Sequence, residues 1–325
     1  MKLSAIEEER ATRLHKEALV WDSHCDTLLD ITAGKRSLGE RTSRGHLDLP
    51  RLREGGVKVQ IFAIYIDSAP YLRRTLEFLS AFYGEASKNR DDMELATTSK
   101  EIKEIVARGK LAALLSIEGG EVLEGAPEIL PCLYRLGVRA LGLTWNHRNE
   151  LADGVGEART GGGLTKMGIE TVAQMNNLGM VVDVSHLSPA GFWDVLEYSS
   201  QPVIASHSNA RGVHDHPRNL SDDQIRALSA QGGVMGINFA PHFLGPAGDL
   251  NAVLNHIDYI VHLAGIDCVG LGSDYDGIAA TPTGLEDVSQ LPNISRGLVA
   301  RGYTDEDIKK ILGENFARVF AQVMG

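Results

Sequence analysis

The feature that most constrains this chain is a rhythm of eight short apolar runs separated by stretches with helical spacing. The runs cover residues 18–25, 57–66, 111–117, 138–145, 180–185, 202–206, 233–239 and 268–273. Several, such as VKVQIFAIYI and MVVDVS, are rich in β-branched residues and bounded by Gly or polar residues, which favours strands over short helices. Between them, Leu164, Met167, Val172, Met175 and Leu178 fall close to one helical face, and Ile225 and Leu228 on another. Ser221 followed by Gln224 reads as a capping box. Thr304 with Asp307 starts a helix carrying Ile308, Ile311, Leu312, Phe316 and Phe320.

Eight strands alternating with helices over roughly 250 residues or more is the arithmetic of a (β/α)8 barrel, the TIM-barrel form of the α/β class. The rival is a doubly wound sheet, which usually binds a dinucleotide at a Gly-rich first turn. Neither G-x-G-x-x-G nor a Walker A motif occurs here. The expectation is one domain over residues 1–325, with an N-terminal helix and an excursion at about 67–110 between strands two and three.

Composition narrows the partners. The chain has 43 acidic against 32 basic residues, a formal charge of −11. Such a surface repels phosphate backbones and anionic lipid, so neither nucleic acid nor membrane is expected as a partner. No run approaches 18 apolar residues, and the first twenty residues have no apolar h-region. The three cysteines, Cys25, Cys132 and Cys268, are far apart and form no C-x-x-C. That usage suits a reducing compartment, and a cytoplasmic location is expected, with the thiols as small packing groups.

Polar residues interrupt the rhythm at one end of the strands. Strand one ends in Asp22-Ser23-His24-Cys25-Asp26, strand three at Glu118, and strand four runs into Trp145-Asn146-His147. Strand five ends at His186, strand six at His207 and strand eight at Asp274. In a barrel these carboxyl ends converge on one mouth, where active sites are built. His24 and Asp26 alternate with Cys25, so they share a face and offer a nitrogen and an oxygen suited to Zn²⁺, Mn²⁺ or Co²⁺. His186 and His207, on neighbouring strands, form a second pair. Glu118 has two oxygens with which to bridge two metals. Two metals roughly 3.5–4 Å apart can share a water and acidify it toward neutral pH. His15, His46, His242, His256 and His262 lie on helical or loop stretches and read as surface or structural residues. His214 and His216 fall in an irregular loop.

Taken in order, WDSHCDT, SIEGGE, LTWNHRNELADG, VDVSHLS, VIASHSNARGV, HPRN, GLGSDYDGI and GLEDVSQLP resemble the renal (membrane) dipeptidase family of zinc peptidases. The likeness runs from about residue 19 to residue 320 and includes the closing YTDEDIKKILGENFARVF. It implies a (β/α)8 barrel holding two Zn²⁺ per chain, with His24 and Asp26 on one zinc, His186 and His207 on the other, and Glu118 as the bridge. It also implies that Arg218, in HPRN, binds substrate and that Asp274 is the catalytic aspartate near the bridging water. The implied activity is a metallo-dipeptidase acting on small dipeptides, including those with a D-residue at the carboxyl end. A second copy of the chain, as a homodimer, is a candidate partner.

One position departs from the pattern. The family commonly carries a substrate-binding His immediately after Leu-Thr, where this chain has Trp145. His147, two residues on, faces the same way if the strand continues, and is the candidate substrate contact. The alternatives are hydrolysis of a lactone, an N-acyl amino acid or a phosphoester at the same metal pair, or a barrel kept for binding alone. The fold does not choose among these chemistries.

Overall fold

A computed structural model describes residues 3–325. Eight parallel strands form its sheet: β1 (Trp21–Cys25), β2 (Val59–Tyr65), β3 (Leu111–Glu118), β4 (Val138–Gly142), β5 (Val181–Asp183), β6 (Ile204–Ala205), β7 (Val234–Ile237) and β8 (Val269–Leu271). Each pairs with the next in sequence, and β8 returns to β1 through Asp22 opposite Leu271. The sheet is therefore closed, with no free edge in the ring. All eight expected strands are present, and the fold is the expected (β/α)8 barrel.

The excursion between β2 and β3 is largely helical, with helices Tyr71–Lys88 and Ser99–Ala107 flanking a short strand, Met93–Leu95. That strand pairs with the start of β3, outside the ring. The expected capping box at Ser221 with Gln224 is formed, and the expected helix start at Thr304 with Asp307 is a capping box as well. The helix begun at Thr304 does not run unbroken to Phe320. It loosens into a π-turn over Lys310–Glu314 before continuing as Asn315–Met324. The cause is a close approach: a side chain at Gly313 would collide with the Leu19 carbonyl just before β1.

Period-two alternation sorts the strand residues into two cores. Val59 and Ile61 of β2, with Ala112 and Leu114 of β3, face a buried interior that Phe316, Val319 and Phe320 of the last helix share. Phe316 and Phe320 pack on Trp21, with ring centroids 6.3 and 5.0 Å apart, at the end of the barrel where β1 begins. The opposite strand faces, among them Phe62, Ile64, Leu115 and Ile117, meet the surrounding helices in the larger core. On β3 the inward series that starts with Ala112 and Leu114 arrives, at the far end, at Glu118. No helix among the described residues is long and apolar enough to cross a membrane.

Candidate active site

β4 is shorter than its apolar run. Its last paired residue is Gly142, opposite Asp183. The Leu143 carbonyl accepts from the Gly120 N–H (3.1 Å) and from Asn149 Nδ2 (2.8 Å), so the chain bends into a loop instead of extending the ladder. Alternation therefore stops before Trp145. Trp145 and Asn146 line the cavity at the barrel mouth, whereas His147 is exposed and does not. The structure thus leaves His147 outside the group it was expected to join, because the loop and not the strand sets its direction.

The other candidates converge. Glu118 stands between two sets of groups. Its Oε1 is 2.7 Å from His186 Nε2 and 3.5 Å from His207 Nε2, while its Oε2 is 3.7 Å from His24 Nε2. His24 Nε2 in turn lies 3.3 Å from Asp26 Oδ2 and 4.0 Å from Asp274 Oδ1. One potential ligand atom from each of His24, Glu118 and His207, and from each of His24, Asp26 and Asp274, falls within 4.8 Å of the others. Two of these residues hold left-handed backbone that non-glycine residues seldom adopt, His186 at φ 69° and Asp274 at φ 62°. A side chain at Gly277 would overlap the carboxylates of Asp26 and Asp274, which explains the glycine in SDYDG.

Hydrogen bonds behind the site fix its donors. Asn146 Oδ1 lies 2.8 Å from His186 Nδ1, and Ser206 Oγ lies 2.7 Å from His207 Nδ1. Ser206 donates its own hydroxyl proton to the buried Asp183. Asn238 Nδ2 donates to Asp274 Oδ2 at 2.8 Å. Asp22, fully buried, accepts from the Ser273 N–H and hydroxyl (2.8 and 2.6 Å), tying β1 to the turn that carries Asp274.

These residues fit divalent cations. With both Nδ1 atoms supplied with acceptors, the His186 and His207 Nε2 atoms face each other at 2.8 Å as lone-pair donors. Two lone pairs at that distance repel unless a cation or a proton lies against them. His24 Nε2 and Asp26 Oδ1 are buried without a hydrogen-bond partner. Burial, the largest cause, keeps His186 and His207 well below the usual imidazole range, and nearby cationic groups add to it. Burial also opposes charge on His24, but Glu118, Asp26 and Asp274 outweigh it and push the imidazole up to about 10. Burial raises Asp26 and Glu118. It raises Asp274 to about 8, against the pull of His24 and with the help of the other two carboxylates. Three crowded carboxylates beside the neutral imidazoles of His186 and His207 are donors that divalent cations satisfy.

The site opens into a cavity of about 400 Å³. Leu29, Tyr65, Trp145, Phe243 and Ile278 give it apolar walls, and Tyr65 and Trp145 stand together with centroids 5.2 Å apart. Among the described residues, Arg218 is the one arginine or lysine in the lining. It is buried, its Nε has no partner, and its Nη2 makes a single long bond of 3.3 Å to the His207 carbonyl. Most of its planar fork remains available for an anionic group. His242, read from sequence as surface or structural, lines the cavity beside Arg218 because the short helix Pro241–Leu244 turns it there. Asn146, Ser206 and Asn238 were not singled out from sequence. Asn238 had a usable signal, since it is the polar residue at the end of β7, the position where the other strands deliver their ligands. His15 and His256 are structural: both are buried and bonded to neighbouring chain.

Comparison with known proteins agrees with this geometry. The model of the membrane dipeptidase family, peptidase family M19, matches residues 8–324. The chain is 36% identical over 294 residues to dipeptidase verJ of Clonostachys rogersoniana, covering 86% of this chain and 76% of that protein. A metallo peptidase from Rhodobacter sphaeroides, solved with a phosphinate mimic of the dipeptide L-Ala-D-Ala, superposes with a TM-score of 0.88 at 30% identity, covering 94% of this chain and 99% of that one. Dipeptidase AC, a metallo peptidase of family M19, superposes at 0.89 and 32% identity, covering 95% and 99%. The family model spans nearly the whole chain: this protein belongs to the membrane dipeptidase family, peptidase family M19.

Proposed function

We propose that this metallo-dipeptidase works with two zinc ions and hydrolyses small dipeptides, accepting a D-residue at the carboxyl end. The observation that carries the binuclear reading is Glu118, whose two oxygens face two different groups of donors. His24 and Asp26 would hold one ion and His186 and His207 the other, with Glu118 between them. When bound, such ions supply Lewis acidity and a water acidified toward neutral pH. The ligand of the Rhodobacter sphaeroides enzyme supports the choice of a D-residue.

The chain's own groups divide the remaining work. Arg218 presents its fork to the substrate carboxylate or to charge developing at the scissile carbon. Asp274 is held at Oδ2 by Asn238, which leaves Oδ1 facing His24 and the metal ligands. At Oδ1 it would accept the proton of the attacking water and return it to the departing amine, as a positioned base then acid does. The walls of Leu29, Tyr65 and Trp145 exclude water and receive side chains. The test is a panel run on zinc-loaded protein: L-Ala-D-Ala and L-Ala-L-Ala against a lactone, an N-acyl amino acid and a phosphoester. Dipeptide turnover exceeding the rest is expected. Turnover of one of the others without dipeptide cleavage would overturn the reading.

Two variants probe substrate contacts. Arg218→Lys keeps the charge but loses the fork. If Arg218 binds the ground-state carboxylate, KM rises; if it serves the transition state, kcat falls. Unchanged kinetics on every dipeptide would remove it from the site. His147→Ala is expected to match wild type, because the side chain is exposed beyond the cavity. Trp145→Phe keeps an aromatic wall but removes the indole N–H and part of the ring's bulk. If that N–H takes the place of the family's substrate-binding His, losing its bond to a charged group costs about 1.5–3 kcal/mol, and a fall on the order of 10- to 100-fold in kcat/KM is expected. A deficit in His147→Ala with normal Trp145→Phe kinetics would reverse the assignment.

A further inference from the structure

His186 is held by the segment that follows β4 in a way that the metal pair alone does not require. The Val155 N–H donates to the His186 carbonyl (2.7 Å), and the Gly156 N–H donates to the Asn146 carbonyl (2.8 Å). Side chains at Gly154 and Gly156 would both collide with the Asn146 backbone, so these glycines let the segment fold tightly onto itself. Asn146 closes the loop with its side chain, placing Oδ1 2.8 Å from His186 Nδ1. His186 itself sits in left-handed backbone, so its ring is not oriented by regular strand geometry. The two imidazoles of this pair are also backed unequally. His207 leans on Ser206 and, through it, on the buried carboxylate of Asp183. His186 leans on a neutral amide.

We infer that Asn146 is a positioning residue for the metal held by His186 and His207: it accepts the Nδ1 proton of His186, fixes the tautomer that presents Nε2, and ties that metal to the loop bearing Trp145. The chemistry is directional. An imidazole that gives Nε2 to a metal must carry its proton on Nδ1, and that buried proton needs an acceptor. Asn146 Oδ1 is the acceptor at hand. Trp145 and Asn146 are adjacent and both line the cavity, so the residue that backs His186 also borders the substrate space.

The inference rests on the two-zinc reading, and its test separates the two. Zinc content and zinc affinity are measured by chelator competition for wild type, Asn146→Leu and Asn146→Asp, with melting of each zinc-free protein as a folding control. Wild type is expected to hold two zinc ions. Asn146→Leu removes the acceptor and should weaken one of the two sites by about 10- to 100-fold, the usual scale for lost support behind a metal ligand. Asn146→Asp can only accept, so it should restore that affinity or exceed it. If wild type holds fewer than two zinc ions, the two-zinc reading fails. If wild type holds two and Asn146→Leu binds both as tightly, the inference about Asn146 fails while that reading stands. Equal weakening in Asn146→Leu and Asn146→Asp would also overturn it, because an acceptor role requires the carboxylate to rescue.

Discussion

Glu118→Gln is expected to abolish dipeptide turnover and to weaken both metal sites at once. Among the described residues, Glu118 is the only carboxylate that approaches all three imidazoles, through Oε1 on one side and Oε2 on the other. An amide in its place offers one acceptor oxygen and an N–H₂ that points its protons at one set of ligands. Removing one partner of a buried charge pair costs about 3–5 kcal/mol, on the order of 10²- to 10⁴-fold in affinity. Metal content by elemental analysis and turnover of one dipeptide give the result together. Two tightly held metals with a normal rate in this variant would take Glu118 out of the mechanism.

Asp274→Asn is expected to separate catalysis from metal binding. Asn keeps the size of Asp and tolerates the left-handed backbone at this position, and its oxygen still accepts from Asn238. What it loses is the capacity to take a proton. A lost acid–base group lowers kcat by about 10²-fold or more, while the metals should stay. Retained activity with both metals bound would make Asp274 a structural residue of the turn that Asp22 and Ser273 anchor.

The sequence carries this much because a barrel writes its site into the pattern of its strands. Apolar runs mark the strands, and the residues that interrupt them at one end, His24, Asp26, Glu118, His186, His207 and Asp274, are the ones the fold gathers. Arg218 lies in a loop after β6 and has no such signature; only the likeness of HPRN to family members singled it out. His147 was misdirected because the end of β4 is set by bonds from Gly120 and Asn149, which apolar periodicity does not encode. Asn146 carries a neutral amide that looks like an ordinary loop residue until its partner is in place. His242 reaches the cavity through a four-residue helix too short to leave a period. The break at Gly313 follows from a carbonyl nearly three hundred residues earlier in the chain. For Asn146, Asn238 and Gly313 the missing information is a contact between segments distant in sequence.

The central claim is that two metal ions act together in one barrel mouth. It is tested most directly by stripping the protein with a chelator and following L-Ala-D-Ala hydrolysis as zinc is returned in known equivalents per chain. No turnover is expected without zinc, then a rise that levels off at two equivalents, with Glu118→Gln staying flat. Full activity in the stripped protein, or a plateau reached at one equivalent, would contradict it.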